Sequence, residues 1–186
     1  GFYEPNTVYL FGLSGSFPGI ARQDFGWVYS EPYSTADNLI QFLNDFTGLD
    51  LYYDVNSPVR YEFTTFLSLI EEAGLTEVFT GADSITVFAP TDYAFTQLPE
   101  GTLDALRADP EALRALLLNH VVESAINDLY SRSITTLQGM EYQVTYNAVT
   151  SSYMFNRAGN LLDWHCDLGN GSVIWFSNDY VLLPES

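Results

Sequence analysis

The spacing of the apolar residues changes once along the chain, and this change restricts the fold more than any other feature. Between residues 61 and 120 apolar residues recur at helical spacing, as in Phe63, Phe66 and Ile70. From Ser133 onward they alternate with polar residues, and Gly and Asn interrupt them at turns. Because helices come first and strands follow, without a repeating strand–helix–strand order, the sequence predicts an α+β domain.

Local signals place several helices and strands. Residues 63–70 predict a helix that stops at Gly74, and Ser84–Ala89 predict a strand that Pro90 ends. Thr91 is expected to cap a short helix whose Tyr93 and Phe95 pack inward. Another helix is expected to begin at Thr102. Asp109 and Pro110 are typical of the start of a further helix, which is predicted to carry Leu113, Leu116, Leu117 and His120 inward. Six short strands are predicted beyond it: ITTL, YQVTY, SSYMF, LLDWH, SVIWF and YVLL.

Residues 1–60 differ from the rest of the chain in holding 13 of its 29 aromatic residues. Strands are predicted at Thr7–Leu13, Phe25–Ser30 and Leu49–Val55, with a short helix after Thr35 that carries Leu39, Ile40, Leu43 and Phe46. A boundary is expected at residues 56–58. We therefore predict an extension at 1–60, followed by a domain at 61–186. Two arrangements of the extension stay open, since it can pack on its own domain or add a strand to a neighbouring subunit.

The charge excludes whole classes of partner. The chain has 24 acidic and 6 basic residues, a formal net charge of −18, and no lysine. Nucleic acid is excluded as a partner because binding phosphates requires a positively charged surface. No apolar run of about 18 residues is present, so no membrane-spanning helix is predicted. The single cysteine, Cys166, excludes an internal disulfide, and the fold is expected to depend on packing.

A family resemblance rests on five sequence stretches that occur in a fixed order. They are FTTFLSLIEEAGLTEVF, TVFAPTDYAF at 86–95, ALLLNHVV at 115–122, TTLQG at 135–139 and NGSVIWFSNDYVLLP at 170–184. Together they resemble the fasciclin domain over residues 61–184, and nothing in residues 1–60 belongs to that pattern. The resemblance implies a seven-stranded β-wedge with helices along one edge. Its motif residues here are Thr86, Phe88, Pro90, Thr91, Phe95, His120, Gly139, Asn170 and Gly171.

The sequence departs from the family's functional motifs at two positions. Members with a tyrosine–histidine adhesion motif place an aromatic before the histidine, where this chain has Asn119. The histidine of the second homology box is replaced by Trp175. Integrin recognition through that motif is therefore not carried over. His120 is kept, and we expect it to be a buried histidine that bonds to backbone or to a hydroxyl near Thr91.

Other candidate sites have ordinary structural explanations. His165 and Cys166 are adjacent, but neighbours on a strand point to opposite faces and rarely hold one metal ion together. The GLSGS stretch at 12–16 lacks the second glycine of a nucleophile elbow. Asn170-Gly171-Ser172 matches a glycosylation sequon, although the same residues predict a hairpin turn.

Two acidic sets leave weak calcium binding open as an alternative to solvated surface. Neither has the alternating spacing of an EF-hand loop. They are Asp45, Asp50 and Asp54, and Asp104, Asp109 and Glu111.

We therefore expect a non-enzymatic adhesion or matrix protein outside the cell or at its surface, with no required cofactor. The resemblance implies that it acts through contacts with other proteins, and the aromatic extension allows contacts with its own subunits and filament assembly. The alternative is a module that binds carbohydrate or a small hydrophobic ligand by aromatic stacking. Candidate interaction residues are Tyr9, Phe11, Trp27, Tyr29 and Trp164.

Overall fold

The structure is a computed structural model. It describes residues 38–46, 50–54, 57–81, 84–148, 152–156, 158–177 and 179–184. The strands predicted at Thr7–Leu13 and Phe25–Ser30 lie outside these residues. The helices are α1 (Leu39–Phe46), α2 (Thr64–Glu72), α3 (Thr76–Thr80), α4 (Asp92–Thr96), α5 (Thr102–Ala108) and α6 (Pro110–Leu118). The strands are β1 (Asp50–Asp54), β2 (Ser57–Arg60), β3 (Thr86–Pro90), β4 (Val121–Val122), β5 (Ser133–Thr135), β6 (Glu141–Asn147), β7 (Ser152–Phe155), β8 (Ala158–Asp167) and β9 (Val173–Ser177).

Within the described residues, seven strands form one sheet in the order β4-β3-β9-β8-β7-β6-β5. Neighbouring strands are antiparallel except β3 and β9, which are parallel. The strands β1 and β2 form a separate two-stranded sheet. The prediction of an α+β chain is confirmed, and the seven strands agree in number with what the resemblance implies.

The parallel pair β3–β9 is buried on both faces, so its side chains enter two different cores. Val87 and Phe176 belong to a first core, which the helices cover. Phe88 and Trp175 belong to a second core on the opposite face, which β6, β7 and the chain around Leu129 complete. Burial on both faces explains why these strands are nearly continuous apolar runs instead of alternating ones.

The first core includes part of the extension predicted at 1–60. Leu39, Phe42 and Leu43 of α1 are buried there with residues of α2, α3, α4 and α6. The ring of Phe42 lies 6.1 Å from that of Phe176, between centroids. This helix therefore packs on its own chain.

Two neighbouring residues of the TVFAPTDYAF stretch cap two different helices. Thr91 accepts a hydrogen bond from the Ala94 amide at 3.2 Å and caps α4, as predicted. Asp92 caps α2, whose own N-cap residue makes no side-chain bond. Its carboxylate accepts from the Thr65 amide at 2.7 Å and from the Thr64 hydroxyl. The prediction for Tyr93 is wrong: it is 56% exposed while Phe95 is 6% exposed, because residues two apart on a helix lie on different faces.

Some elements lie or end where the sequence does not predict them. Strand β2 covers residues 57–60, next to the boundary predicted at 56–58, and Pro58 is accommodated because, within the described residues, both strands of this sheet are edge strands. The division of the chain into an extension and a domain stays a prediction. The helix α6 ends at Leu118, before His120, since the next residues leave the helix to pair with β3. The five-residue helix α3 was not predicted, because it is too short to show a periodic pattern.

Replacing Asp92 with Ala should lower the free energy of unfolding by about 1–2 kcal/mol, because the first turn of α2 loses its cap. The matched control is Asp104→Ala, which removes an exposed carboxylate from the first turn of α5 and should change stability by less than about 0.5 kcal/mol. Urea unfolding followed by tryptophan fluorescence measures both. Equal losses in the two variants would contradict this role for Asp92.

Candidate functional site

The turn between α6 and β4 holds two buried polar residues, Asn119 and His120. They are 0% and 1% exposed, respectively. Leu113, Leu116 and Leu117 direct one face of α6 into the first core, and Val121 and Val122 continue into the sheet. A polar pair between two buried apolar segments has no access to water, so the rest of the fold must supply its hydrogen-bond partners.

Asn119 joins three separate parts of the chain. Its Nδ2 donates to the Tyr142 hydroxyl at 2.6 Å and to the Leu182 carbonyl at 2.9 Å. Its Oδ1 accepts from the Thr136 hydroxyl at 2.9 Å. Both amide hydrogens and the carbonyl oxygen are thereby satisfied. The side chain thus links α6 to β6, to the turn after β5 and to the residues that follow β9.

His120 is held in one neutral tautomer by two backbone groups. Its Nε2 lies 3.0 Å from the Leu182 amide nitrogen and accepts that hydrogen. The proton is therefore on Nδ1, which donates to the Leu116 carbonyl at 2.8 Å. Burial lowers the pKa of His120 to about 4, and the Leu116 carbonyl partly opposes this shift. The sequence predicts a buried histidine bonded either to backbone or to a hydroxyl near Thr91; His120 is buried, and both of its ring nitrogens are bonded to backbone groups.

Residues 180–183, predicted as the last strand, do not form a strand. The amide of Leu182 donates to His120 and its carbonyl accepts from Asn119, so both backbone groups are bonded to side chains. In addition, the Ser177 hydroxyl donates to the Tyr180 carbonyl at 2.6 Å. The apolar run YVLL has the composition of a strand, but its backbone is hydrogen-bonded to side chains instead of to a neighbouring strand.

The other motif residues lie on the same sheet or close to it. Thr86 is buried, donates through Oγ1 to the Ser124 carbonyl at 2.6 Å and accepts from the Ile126 amide at 2.7 Å. Trp175 donates through Nε1 to the Ile126 carbonyl at 2.7 Å. Together, Thr86 and Trp175 hold the chain after β4 against the second core.

Two motif glycines have the positive φ angles that turns require. Gly139 has a φ of 90° and its amide donates to the Thr136 carbonyl at 2.8 Å. Gly171 has a φ of 84° and lies between β8 and β9. The Asn170 side chain accepts from the Ser172 amide at 3.0 Å. The hairpin turn predicted at Asn170-Gly171 is thus present, and glycosylation of Asn170 stays a prediction.

His165 and Cys166 point to opposite faces of β8. Cys166 is buried in the first core, while the His165 ring lies 4.6 Å from the Trp175 ring, between centroids. Burial raises the pKa of the Cys166 thiol well above its ordinary value, and the nearby Asp167 carboxylate adds to this shift. Across the described part of the chain, no group of three or more His, Cys, Asp or Glu residues could hold a metal ion.

One carboxylate of the acidic sets suggested for calcium is used as a helix cap. The Asp109 carboxylate caps α6 and accepts from the Glu111 and Ala112 amides at 3.0 and 3.1 Å. The side chains of Asp45, Asp50 and Asp54 lie outside the described residues. Weak calcium binding stays a prediction.

Most of the predicted interaction residues fall outside the described residues. These are Tyr9, Phe11, Trp27 and Tyr29, together with the side chain of Trp164, whose backbone belongs to β8. In the described part, Tyr130 and Tyr93 are the most exposed large apolar side chains, at 65% and 56%. The Tyr130 ring lies 6.3 Å from that of Tyr146, at the border of the second core.

Sequence reasoning missed three residues that organise the site. In the sequence, Asn119 stands out only as a departure from a family motif, and nothing nearby marks Asp92 or Thr136. A polar residue directly between an apolar helix and an apolar strand is the signal that could have identified Asn119. For Asp92 and Thr136, the partner lies far along the chain, and no local pattern reveals it.

Comparisons with known proteins agree with the resemblance. A family model described as Fasciclin domain matches residues 61–173. The chain is 35% identical over 128 residues to the transforming growth factor-beta-induced protein ig-h3 of Sus scrofa, a match that covers 67% of this chain and 18% of that protein. It is 33% identical over 134 residues to the cell surface glycolipoprotein MPB83 of Mycobacterium bovis, covering 70% of this chain and 58% of that one.

Among solved structures, a FAS1 domain pair from the insect cell adhesion molecule fasciclin I aligns with 66% of this chain and 45% of that chain. The sequence identity is 13% and the TM-score is 0.47. Among the described residues, no helix is both long and apolar enough to span a bilayer.

Replacing Asn119 with Leu should lower the free energy of unfolding by about 2–4 kcal/mol, because the Thr136 and Tyr142 hydroxyls and the Leu182 carbonyl lose the hydrogen bonds that they make to Asn119. Thr136→Val should cost about 1–2 kcal/mol alone. The double variant should lose less than the sum, since the valine no longer needs a partner. Equilibrium unfolding of all four proteins completes this cycle, and strictly additive losses would disprove the coupling.

The Cys166 thiol should react with a thiol reagent such as DTNB only when the protein opens. Its burial and raised pKa keep it protonated and inaccessible near neutral pH. The native protein should therefore react many times more slowly than the same protein in denaturant. Labelling of the native protein as fast as that of a free thiol would show that the first core is open at β8.

Proposed function

The chain belongs to the fasciclin domain family, and we propose that it is an extracellular or cell-surface adhesion or matrix module that binds other proteins without catalysis. The family match supports this proposal, and so does the mycobacterial relative, which is a cell surface glycolipoprotein. The chain spans only 18% and 58% of the porcine and mycobacterial relatives, so we assign to it none of the functions of their remaining parts.

One observation carries the proposal: the side chains of the family motifs are engaged in holding the fold together. His120 and Asn119 are sealed from solvent and bonded to backbone and hydroxyl groups. Thr86, Thr91 and Trp175 are likewise buried and hydrogen-bonded. Because the characteristic residues of this domain stabilise its own fold, contacts with other proteins must be made by residues on its surface.

The charge affects which contacts the surface can make. With a formal net charge of −18, two copies repel each other unless a contact buries enough apolar area to overcome the repulsion. Residues 1–60 supply aromatic side chains for such a contact. We propose that they form an extension to the domain at 61–186, and that the predicted strand Thr7–Leu13 joins copies into oligomers or filaments.

Electron microscopy and light scattering after size-exclusion chromatography test self-assembly, with salt varied to screen the charge. We expect oligomers or filaments that become more abundant as salt rises. Replacing Tyr9 and Phe11 with Ser should abolish them, because the joining strand loses its apolar side chains. The matched control is Tyr93→Ser, which removes an exposed aromatic of α4 and should leave assembly unchanged.

Two outcomes would count against this proposal. A monomer at every salt concentration would refute assembly while leaving the adhesion role standing. Saturable binding to a glycan array, lost in Trp27→Ala or Trp164→Ala, would instead favour the alternative of a carbohydrate-binding module.

A further inference from the structure

The segment 179–184 lies across the border between the two cores without belonging to the sheet. Val181 is buried in the first core, and Leu182 is buried in the second. Leu183, the next residue, is 38% exposed. The segment therefore covers the ends of both cores with two adjacent side chains.

Side chains bind this segment where a strand would use a backbone ladder. Three hydrogen bonds attach it to side chains elsewhere in the described chain. Ser177 and Asn119 donate to its carbonyls, and His120 accepts from its Leu182 amide. A ladder bond is lost only when the strand separates, but a bond to a histidine nitrogen is also lost when that nitrogen takes a proton. Protonated imidazole has two N–H donors and no acceptor, so it cannot receive the Leu182 hydrogen.

We propose that residues 179–184 form an acid-sensitive latch, which His120 closes by accepting the Leu182 amide and which protonation of His120 opens. Opening separates Val181 and Leu182 from the two cores. It also uncovers the Asn119–His120 turn, which the segment otherwise covers.

The groups around His120 are uncharged in the closed state. From α6 comes the Leu116 carbonyl, and from α2 the Phe66 ring, 5.9 Å away between centroids. From β3, the Phe88 amide donates to the His120 backbone carbonyl at 2.9 Å. The titratable group linked to the turn is the Tyr142 phenol of β6, which Asn119 hydrogen-bonds. Nothing in this set compensates a positive charge on the ring.

The direction of the pH effect follows from linkage. The pKa of His120 is about 4 in the closed state, against an ordinary value of 6.5 once the ring reaches water. Above pH 6.5 the ring is neutral in both states, and the latch has its full stability. As the pH falls from 6.5 towards 4, only the open state takes up the proton. The opening equilibrium should therefore rise by up to tenfold per pH unit, and by about 300-fold in all once the pH is well below 4.

Amide hydrogen exchange of the whole protein, measured by NMR between about pH 6 and about pH 4.5, tests the latch. The amide of Leu182 reports opening, and the amide of Val173, which donates to the Ile85 carbonyl at 2.8 Å, reports the sheet. Exchange rates divided by the intrinsic rates give the opening constant of each site. We expect Leu182 to open more readily than Val173 at every pH, with a constant that rises about 20-fold as the pH falls across this range.

The variant His120→Gln separates protonation from a general loss of packing, since the glutamine side chain offers an acceptor that does not titrate in this range. In this variant the opening constant of Leu182 should become independent of pH. Persistence of the ~20-fold rise in the variant would overturn the proposal. Two results on the wild-type protein would also overturn the proposal. One is equal opening constants for Leu182 and Val173, and the other is an opening constant for Leu182 that does not change with pH.

Discussion

Two buried polar side chains, those of Asn119 and His120, impose the requirement that the rest of this structure meets. An unpaired polar group inside a protein costs roughly 1–3 kcal/mol, and this turn holds several such groups. They are paired by the Thr136 and Tyr142 hydroxyls, the Leu116 carbonyl and the backbone of Leu182. The turn thereby fixes the relative positions of α6, β6 and the segment after β9, and it connects the ends of both cores.

The second organising feature is the parallel pair β3–β9, with a core on each face. The stretch that begins in β3 continues into Thr91 and Asp92, which cap α4 and α2 and so attach the helical layer to the end of β3. The side chains best suited to acid–base or nucleophilic chemistry, those of His120 and Cys166, are buried and help to stabilise the fold. His120 is kept neutral by burial, and Cys166 is kept as a thiol by its raised pKa. A function exerted through the surface is consistent with an interior used in this way.

The sequence predicts correctly those elements that depend on residues only a few positions apart. The caps Thr91 and Asp109, the hairpin at Gly171 and five of the six late strands correspond to structure, because capping, turn conformation and alternation depend on residues only a few positions apart. The predictions are wrong where a residue far along the chain takes the hydrogen bonds of the predicted element. The run YVLL has the composition of a strand, yet Asn119 and His120 take its backbone groups. The helix predicted to reach His120 ends earlier because Val121 and Val122 pair with β3.

The amino-acid sequence alone identifies the α+β class and the fasciclin resemblance over the last two thirds of the chain, and its net charge of −18 leads us to expect no nucleic-acid partner. Three features become visible only in the folded chain: Asn119 is a structural junction, Asp92 caps a helix 27 residues upstream of it, and Leu182 is bound by side chains. They escape prediction because composition and periodicity are properties of neighbouring residues. A buried hydrogen bond depends on which remote groups the packed cores bring within about 3 Å of each other.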